Sequence, residues 1–270
     1  MTFFVGFFVF VFGLCFGSFL NVCIYRIPRE ISLAFPASHC TECKSPIKKM
    51  DLVPVLGYLL LKGKCRSCNS AISLRYPLIE LLTGMVWLTL FLRYGLTFES
   101  AVLIYLFSVL IPVFFIDLDY MIIPNGLVLA GLVAGIAVFT YNLFIPFQLF
   151  TPSRWYTPLL GMVSSSGILL IIAVLGLLIY KSGSAMGMGD VKIFIPIGMV
   201  LGWKLGLLAL FLSTFLGALV GIALLIAKKA GRKSQMAFGP YIILGSFIAV
   251  IGGNQLLDWY FTYFLLQSSM

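Results

Sequence analysis

Long apolar stretches separated by short polar segments make up most of this chain. A helix needs about 20 apolar residues to cross the roughly 30 Å hydrocarbon core of a membrane, and seven stretches approach that length. They are residues 3–24, 78–95, 100–116, 126–145, 157–180, 206–227 and 239–264. An eighth, residues 191–203, would rise only about 20 Å as a helix. The pattern predicts an all-α polytopic membrane protein with about eight transmembrane helices.

The composition changes this picture little. Of the 270 residues, 61% are hydrophobic and only 10% are charged, which is outside the range of soluble domains. The net charge is +9, but the basic residues cluster between apolar stretches, which is typical of membrane topology and not of nucleic-acid binding. We therefore expect the lipid bilayer as a partner and no nucleic acid.

The distribution of basic residues predicts the orientation in the membrane. With the N-terminus outside and eight spans, 15 of the 18 basic residues fall on the inner side, and only Arg93, Arg154 and Lys204 fall outside. Such a bias marks the inner side as cytoplasmic. We predict that both termini lie outside and that residues 26–76 are cytoplasmic. Residues 1–25 have no basic N-terminal region of the kind that begins a signal peptide. We therefore expect a retained first span and not a cleaved signal peptide.

Residues 26–76 form a long hydrophilic insert between the first and second spans. It contains Cys40-x-x-Cys43 and Cys65-x-x-Cys68, a spacing typical of a structural zinc site with four thiolate ligands. A segment of this size with few large apolar side chains needs a metal ion to hold its fold. Disulfides are the alternative, disfavoured on the cytoplasmic side, and a redox relay is a weaker one.

Asp117, Asp119 and Asp190 lie at the ends of apolar stretches, where a carboxylate is costly and often functional. Asp190 ends the sequence Gly-Met-Gly-Asp at residues 187–190, and Asp117 and Asp119 precede Ile-Pro-Asn at residues 123–125. Two neighbouring carboxyls can share a proton and activate water for peptide hydrolysis. The alternative is that all three are solvated residues in short loops.

Only one of Asp117 and Asp119 is expected to face Asp190. Helical residues two positions apart point about 200° apart. Asp117 directly follows the apolar stretch, whereas Asp119 is nearer the polar turn before Pro124. We therefore predict that Asp117 and Asp190 form a catalytic dyad.

Together these features resemble the bifunctional type IV prepilin peptidases, which are leader peptidases and N-methyltransferases. The resemblance rests on several motifs besides the two Cys-x-x-Cys pairs. They are Gly-Ser-Phe-Leu-Asn-Val at 17–22, Tyr-Arg-Ile-Pro at 25–28, Asp-Leu-Val-Pro-Val-Leu at 51–56, Gly-Lys-Cys-Arg at 63–66, Ile-Ser-Leu-Arg-Tyr-Pro at 72–77 with Glu80, Asp-Leu-Asp at 117–119, Ile-Pro-Asn at 123–125, Gly-Met-Gly-Asp-Val-Lys at 187–192 and Phe-Gly-Pro at 238–240.

The chain departs from the family pattern at three places. It has Arg-Glu-Ile at residues 29–31, where the family usually has a glycine, and Thr41, where it usually has proline. Asn125 stands where many members carry aspartate. None of these departures falls on the dyad or on the four cysteines, although the first two weaken the inference of a methyltransferase.

The resemblance implies that residues 77–270 form the transmembrane body of an aspartic protease in the bacterial inner membrane. Its substrate would be a prepilin or pseudopilin, cut on the cytoplasmic side after the basic leader. The new N-terminal amine would then be methylated by S-adenosylmethionine. The family's first catalytic aspartate lies seven residues before the proline of its Ile-Pro motif, which again gives Asp117 by counting from Pro124.

The cofactor site is less defined, because the chain has no glycine-rich dinucleotide fingerprint. The resemblance alone suggests Asn21, Arg26 and Glu80 as weak candidates. Their alternative roles are an interhelical hydrogen bond, an anchor at the cytoplasmic surface and an ion pair with a basic residue such as Arg75. Other functions also stay open, namely a Gly-x-Gly-Asp protease without methyltransferase activity, a proton- or cation-coupled transporter and a noncatalytic assembly protein.

Overall fold

A computed structural model describes residues 2–150, 152–180, 187–227 and 236–266. Within these ranges the regular structure is helical, apart from isolated bridges between His39 and Pro46 and between Lys64 and Ala71. The α-helices are α1 Thr2–Arg26, α2 Leu56–Leu60, α3 Arg75–Tyr94, α4 Phe98–Tyr120, α5 Asn125–Asn142, α6 Thr157–Tyr180, α7 Met188–Ile226 and α8 Gly239–Tyr260. The predicted all-α fold class is confirmed.

Seven helices in the described part of the chain are long and apolar enough to cross a membrane. They are all of the helices except α2, which has five residues and lies in the insert. The protein is therefore a multi-pass membrane protein. Five of the basic residues used to predict its orientation lie outside the described residues. They are Lys181, Lys228, Lys229, Arg232 and Lys233.

Helix α7 is a hairpin of two helices and not one straight rod. As a straight helix its 39 residues would measure about 58 Å, far more than a membrane needs. Gly202 breaks it with φ 70° and ψ 178°, a conformation open mainly to glycine. A Cβ on Gly206 would lie 3.7 Å from the Cα of Gly198, whereas residues eight apart in one helix are about 12 Å apart.

The hairpin accounts for the short eighth stretch of the sequence. Residues 188–201 form its first arm and residues 203–226 its second, so eight apolar helical segments run through the described residues. The predicted stretch 191–203 and the next one, 206–227, correspond to these arms. Each single arm has a length that suits a membrane segment better than the whole of α7.

The chain divides into two compact units, Met1–Pro112 and Val113–Met270, which we call unit 1 and unit 2. In unit 1, α1 and α3 approach closely at small residues, since a Cβ on Gly13 would lie 2.8 Å from the Cα of Gly84. In unit 2, a Cβ on Gly161 of α6 would meet the carbonyl oxygen of Gly198 in α7. Small residues let helix backbones come together where lipid supplies no hydrophobic drive.

Candidate active site and metal centre

The two predicted dyad residues lie at helix ends in unit 2. Asp117 is in the last turn of α4 with 5% of its surface exposed, and Asp190 is in the first turn of α7 and half-buried. Their carboxyls are close enough to interact electrostatically. Asp119, by contrast, is exposed. The structure thus brings Asp117 and Asp190 together, with Asp119 on the other side of α4.

The start of α8 contributes a group to this site that the sequence did not assign. The N–H of Gly239 donates a hydrogen bond of 2.8 Å to Oδ2 of Asp117. A Cβ at position 239 would lie 2.7 Å from the same oxygen and 3.0 Å from the carboxyl carbon. Only glycine therefore allows this approach. In the sequence, the Phe-Gly-Pro motif at residues 238–240 was the feature that could have pointed to this contact.

Glycines also set the position of Asp190. Gly187 is the extended residue before α7, and its carbonyl oxygen accepts a hydrogen bond from the N–H of Asp190 at 3.1 Å. A Cβ on Gly189 would lie 3.0 Å from Cβ of Ile123. The beginning of α7 is therefore packed against the turn that follows Asp117, which keeps the two aspartates near each other.

Asn125, one of the departures from the family pattern, has a defined partner. Its Oδ1 accepts a hydrogen bond of 3.1 Å from Nζ of Lys192. The bond joins the first turn of α5 to the first turns of α7, next to the aspartates. An amide at position 125 is therefore compatible with the local packing of the site.

The four cysteines of the insert form one cluster in unit 1. Their sulfur atoms all lie within 4.8 Å of one another, and the sulfurs of Cys40 and Cys68 are 3.9 Å apart. A tetrahedral zinc ion with bonds of about 2.3 Å has ligand sulfurs about 3.8 Å apart. All four cysteines are free, so the disulfide alternative does not describe this insert. The cluster fits one metal ion with four sulfur ligands.

The two cysteine pairs have the same local geometry. In the first, the N–H of Cys40 donates to the carbonyl oxygen of Ser45 at 2.9 Å, and in the second, Cys65 donates to Ser70 at 2.8 Å. Both pairs follow the pattern Cys-x-x-Cys-x-Ser. Two similar turns therefore face each other across the cluster and supply two sulfurs each.

Neighbouring polar groups favour the thiolate form that binds metals. The N–H groups of Cys43 and Glu42 lower the pKa of the Cys40 thiol to about 6. The hydroxyl of Ser70 lowers the pKa of the Cys68 thiol, and the two groups lie 3.1 Å apart. At Cys65 the N–H groups of Cys68 and Ser67 also favour the thiolate, but burial and the neighbouring thiols of Cys40 and Cys68 outweigh them and raise its pKa. The hydrogen bonds therefore favour the thiolate form at Cys40 and Cys68.

Comparison with known proteins decides the family. Residues 11–94 match the bacterial peptidase A24 N-terminal domain, and residues 104–222 match the type IV leader peptidase family. The chain is 33% identical over 257 residues to the prepilin leader peptidase/N-methyltransferase of Bacillus subtilis, covering 93% of this chain and 96% of that protein. This chain belongs to the type IV leader peptidase family.

Other members of the family are similar over most of their length. A prepilin leader peptidase/N-methyltransferase of Pseudomonas putida is 34% identical over 268 residues, covering 91% of this chain and 90% of that protein. The enzyme of the same name from Aeromonas hydrophila is 33% identical over 291 residues, covering 95% and 94%. No solved structure matches this chain.

The insert of this family member has an ion pair that the sequence analysis did not predict. Arg66, in the second cysteine turn, donates two hydrogen bonds to Asp51 at 2.9 and 2.6 Å. The side chain of Asp51 is only 6% exposed, and the Arg66 guanidinium lowers the pKa of its carboxyl. The paired bonds tie the second turn to the short 3-10 helix Lys49–Leu52.

Arg26, one of the three cofactor candidates, is engaged by the main chain. It is buried at the end of α1. Its guanidinium donates to the carbonyl oxygens of Ser32 at 2.8 Å, Leu33 at 3.3 Å and Pro36 at 2.6 Å. The side chain therefore holds the first loop of the insert against the end of α1.

Asn21 and Glu80 also bond to main-chain groups. Asn21 donates to the carbonyl oxygen of Tyr76 at 3.1 Å, which joins α1 to the first turn of α3. The carboxylate of Glu80 accepts a 2.8 Å hydrogen bond from the N–H of Val55. Val55 has φ 60° and ψ −50°, which is a strained conformation for a β-branched residue. Glu80 thus helps to hold a strained turn of the insert beside α3.

Proposed function

We propose that this chain removes the leader peptide from a prepilin or pseudopilin and then methylates the new N-terminal amine. Its relatives carry both activities in their name and align with nearly its whole length. The observation that carries the peptidase is the approach of Asp117 and Asp190 at adjoining helix ends in unit 2. The protein is accordingly an aspartic endopeptidase and an N-methyltransferase.

The proposed chemistry of cleavage needs one ionised and one protonated carboxyl. The ionised member of the Asp117 and Asp190 pair takes a proton from water, and the water oxygen attacks the carbonyl carbon of the scissile bond. The protonated member donates a hydrogen bond to the carbonyl oxygen as it gains charge. The carbon–nitrogen bond then breaks, and the leaving nitrogen receives a proton from the dyad.

The contacts around the dyad give each carboxyl a defined place. The bond from the N–H of Gly239 orients Asp117, and the packing of Gly189 against Ile123 positions the turn that carries Asp190. A catalytic pair gains most of its advantage from such fixed geometry. We assign both glycines as positioning residues for the dyad.

The metal that we propose for the insert is zinc, bound by Cys40, Cys43, Cys65 and Cys68. Four thiolate ligands complete a tetrahedron and leave no position for a substrate, so the site is structural. When bound, zinc supplies a cross-link that holds the two cysteine turns together. The short sulfur distances and the lowered thiol pKa values of Cys40 and Cys68 support this assignment.

S-adenosylmethionine is the methyl donor that we propose for the second reaction. The methyl group would pass from its sulfonium to the neutral N-terminal amine, which then gives up a proton. Asn21, Arg26 and Glu80 remain candidates for this half of the function by resemblance. Because all three bond to main-chain groups, we assign them the role of shaping the insert and derive no methyl-transfer step from them.

We place the enzyme in the bacterial cytoplasmic membrane, with both termini outside and residues 26–76 in the cytoplasm. The distribution of basic residues supports this orientation. A tag after Met270 should be accessible from outside the cell, and a tag in the insert only from the cytoplasm. If both tags are found on the same side, the number of membrane crossings is wrong.

The mass of the product tests the whole proposal. The purified protein is incubated with a prepilin and S-adenosylmethionine, with Asp190→Asn as the matched control. We expect the wild-type protein to remove the leader and then to replace one hydrogen of the new N-terminal amine with a methyl group. The product then gains the mass of one methylene unit. Leader removal without the added mass would indicate a protease that lacks the transferase, and an intact prepilin would contradict the proposal.

A further inference from the structure

The insert exposes apolar side chains that a subdomain surrounded by water would bury. Leu60 and Met50 are each 79% exposed, and Leu56 and Leu59 are more than half exposed. We call Met50 and residues 56–60 the apolar segment. The insert as a whole has few apolar residues, so a cluster of exposed apolar side chains in it marks a surface that contacts another apolar phase.

Hydrogen bonding fixes the level of the apolar segment along the helices of unit 1. Val55, the residue before α2, bonds through its N–H to Glu80 at 2.8 Å. Glu80 is five residues into α3, or about 7.5 Å along the helix axis. Helical side chains point back toward the N-terminus, so Val55 lies level with the first two turns of a candidate membrane span.

Helix α1 independently places Glu80 beside a candidate membrane span. A Cβ on Gly17 would lie 2.7 Å from the Cα of Glu80, and Gly17 is nine residues before Arg26, where α1 ends. Glu80 is therefore beside the interior of α1 and not beside its end. Since α1 and α3 are both candidate membrane spans, the bond to Val55 holds the start of α2 at the edge of the membrane.

Further contacts keep the two parts of the apolar segment together. A Cβ on Gly57 would meet the main-chain carbonyl oxygen of Asp51, and Asp51 is itself bonded to Arg66. Met50 and α2 therefore belong to one packed corner of the insert. The corner cannot move away from the membrane edge without breaking the contacts with Glu80 or Asp51.

Basic residues border the same corner. Lys48, Lys49 and Lys62 are exposed next to Met50 and α2. Residues 26–76 carry nine basic and three acidic residues, a net charge of +6. Exposed apolar side chains with flanking lysines are typical of segments that lie in the headgroup region of a membrane, where the lysines meet anionic lipids.

We propose that the apolar segment inserts into the headgroup region of the leaflet that faces the insert. The partner is the lipid of the enzyme's own membrane, with Leu56, Leu59, Leu60 and Met50 against acyl chains and the lysines against anionic headgroups. The insert is thereby held on the membrane surface by lipid contacts as well as by α1 and α3. This inference does not depend on the peptidase or transferase assignment.

Photo-crosslinking in a defined bilayer tests the proposal. The photoreactive amino acid p-benzoylphenylalanine replaces Leu60 in the full-length protein, which is placed in nanodiscs of phosphatidylglycerol and phosphatidylethanolamine. The matched control carries it in place of Glu42, an exposed polar residue of the first cysteine turn. We expect a lipid adduct about tenfold more abundant at position 60 than at position 42.

Several outcomes would overturn the proposal. Equal adducts at the two positions, or no lipid adduct at position 60, would show that the segment faces water. An adduct at position 60 that forms only with added prepilin, and then to the prepilin, would make the surface a protein-docking site. Replacing phosphatidylglycerol with phosphatidylcholine should lower the yield, and an unchanged yield would contradict the contact of the lysines with anionic lipid.

A second experiment needs no altered residue and therefore does not depend on how the variants fold. The wild-type protein is irradiated in nanodiscs that contain phosphatidylglycerol with a diazirine in its acyl chain. We expect adducts on residues 50–60 and none on residues 40–45. The reverse distribution would overturn the proposal.

Discussion

The cysteines of unit 1 and the aspartates of unit 2 are both drawn from separate stretches of the chain, but they are held together in different ways. Around the cysteines the contacts are polar, namely turn hydrogen bonds, the hydroxyl of Ser70 beside Cys68 and the ion pair of Arg66 with Asp51. Around the aspartates the backbone of Gly189 and of Gly239 closely approaches the side chains of Ile123 and Asp117.

The difference follows from the surroundings of the two sites. The insert has few buried apolar side chains, so ligand bonds and hydrogen bonds must supply its stability. The helices of unit 2 meet inside a membrane, where close packing of small residues holds them together. The cysteine site should therefore be sensitive to the loss of a ligand, and the aspartate site to the addition of a single methyl group.

The largest effect on cleavage is expected from the loss of either dyad carboxyl, for example in Asp190→Asn. An amide cannot take a proton from water or share one with Asp117, and general acid–base catalysis contributes about 10²–10⁴-fold. Leader removal in membranes should therefore fall by at least about 100-fold. The same variant should still methylate a pilin that has already been cleaved. Loss of both activities would mean that the two reactions share Asp190 or that the variant is unfolded.

The second-largest effect on cleavage is expected from Gly239→Ala. The added methyl group would lie 2.7 Å from Oδ2 of Asp117 and must displace that carboxyl. A misplacement of about 1 Å can cost about 100-fold in rate, so we expect a loss in leader removal of that order.

Gly252→Ala is the matched control for this change. It adds the same methyl group to the same helix, α8, at a position where nothing lies within 4 Å of the new Cβ. Cleavage should be unchanged there. Similar rates for Gly239→Ala and the wild type would contradict the role assigned to the glycine.

The smallest effect on cleavage is expected from Cys40→Ser, although the same change should remove the metal. Loss of one thiolate breaks the four-ligand set, and for such sites binding energy is folding energy. Elemental analysis should show zinc in the wild type and little in the variant, with faster hydrogen exchange in residues 26–76. Cys15→Ser, in α1 and outside the cluster, should keep its zinc. A wild type without zinc under reducing conditions would contradict the metal assignment.

The fold was largely predictable because seven of the eight apolar stretches are long enough to identify a membrane helix on their own. The cysteine spacing likewise predicted a single cluster, since two Cys-x-x-Cys turns have few other uses. The sequence also favoured Asp117 over Asp119, because position on a helix follows from spacing. In the structure Asp117 is buried and Asp119 is exposed.

Other features depend on contacts between residues far apart in the chain. The hairpin at Gly202 was predicted only as a short apolar stretch, because the sequence does not show where the chain reverses. The bond from Gly239 to Asp117 joins residues 122 positions apart. Glu80 was a candidate for the cofactor site, with an ion pair to a basic residue as its alternative role, and in the structure it accepts a hydrogen bond from the backbone of Val55. No local pattern encodes such partners.

The most direct test of the central claim compares Asp117→Asn with Asp119→Asn in the same membranes. Both changes replace a carboxylate with an amide near the end of α4, but only Asp117 is buried beside Gly239 and near Asp190. The measured quantity is the rate of leader removal from a prepilin at equal enzyme levels. We predict no detectable cleavage with Asp117→Asn and substantial cleavage with Asp119→Asn. Cleavage by Asp117→Asn together with its loss in Asp119→Asn would contradict the proposed dyad.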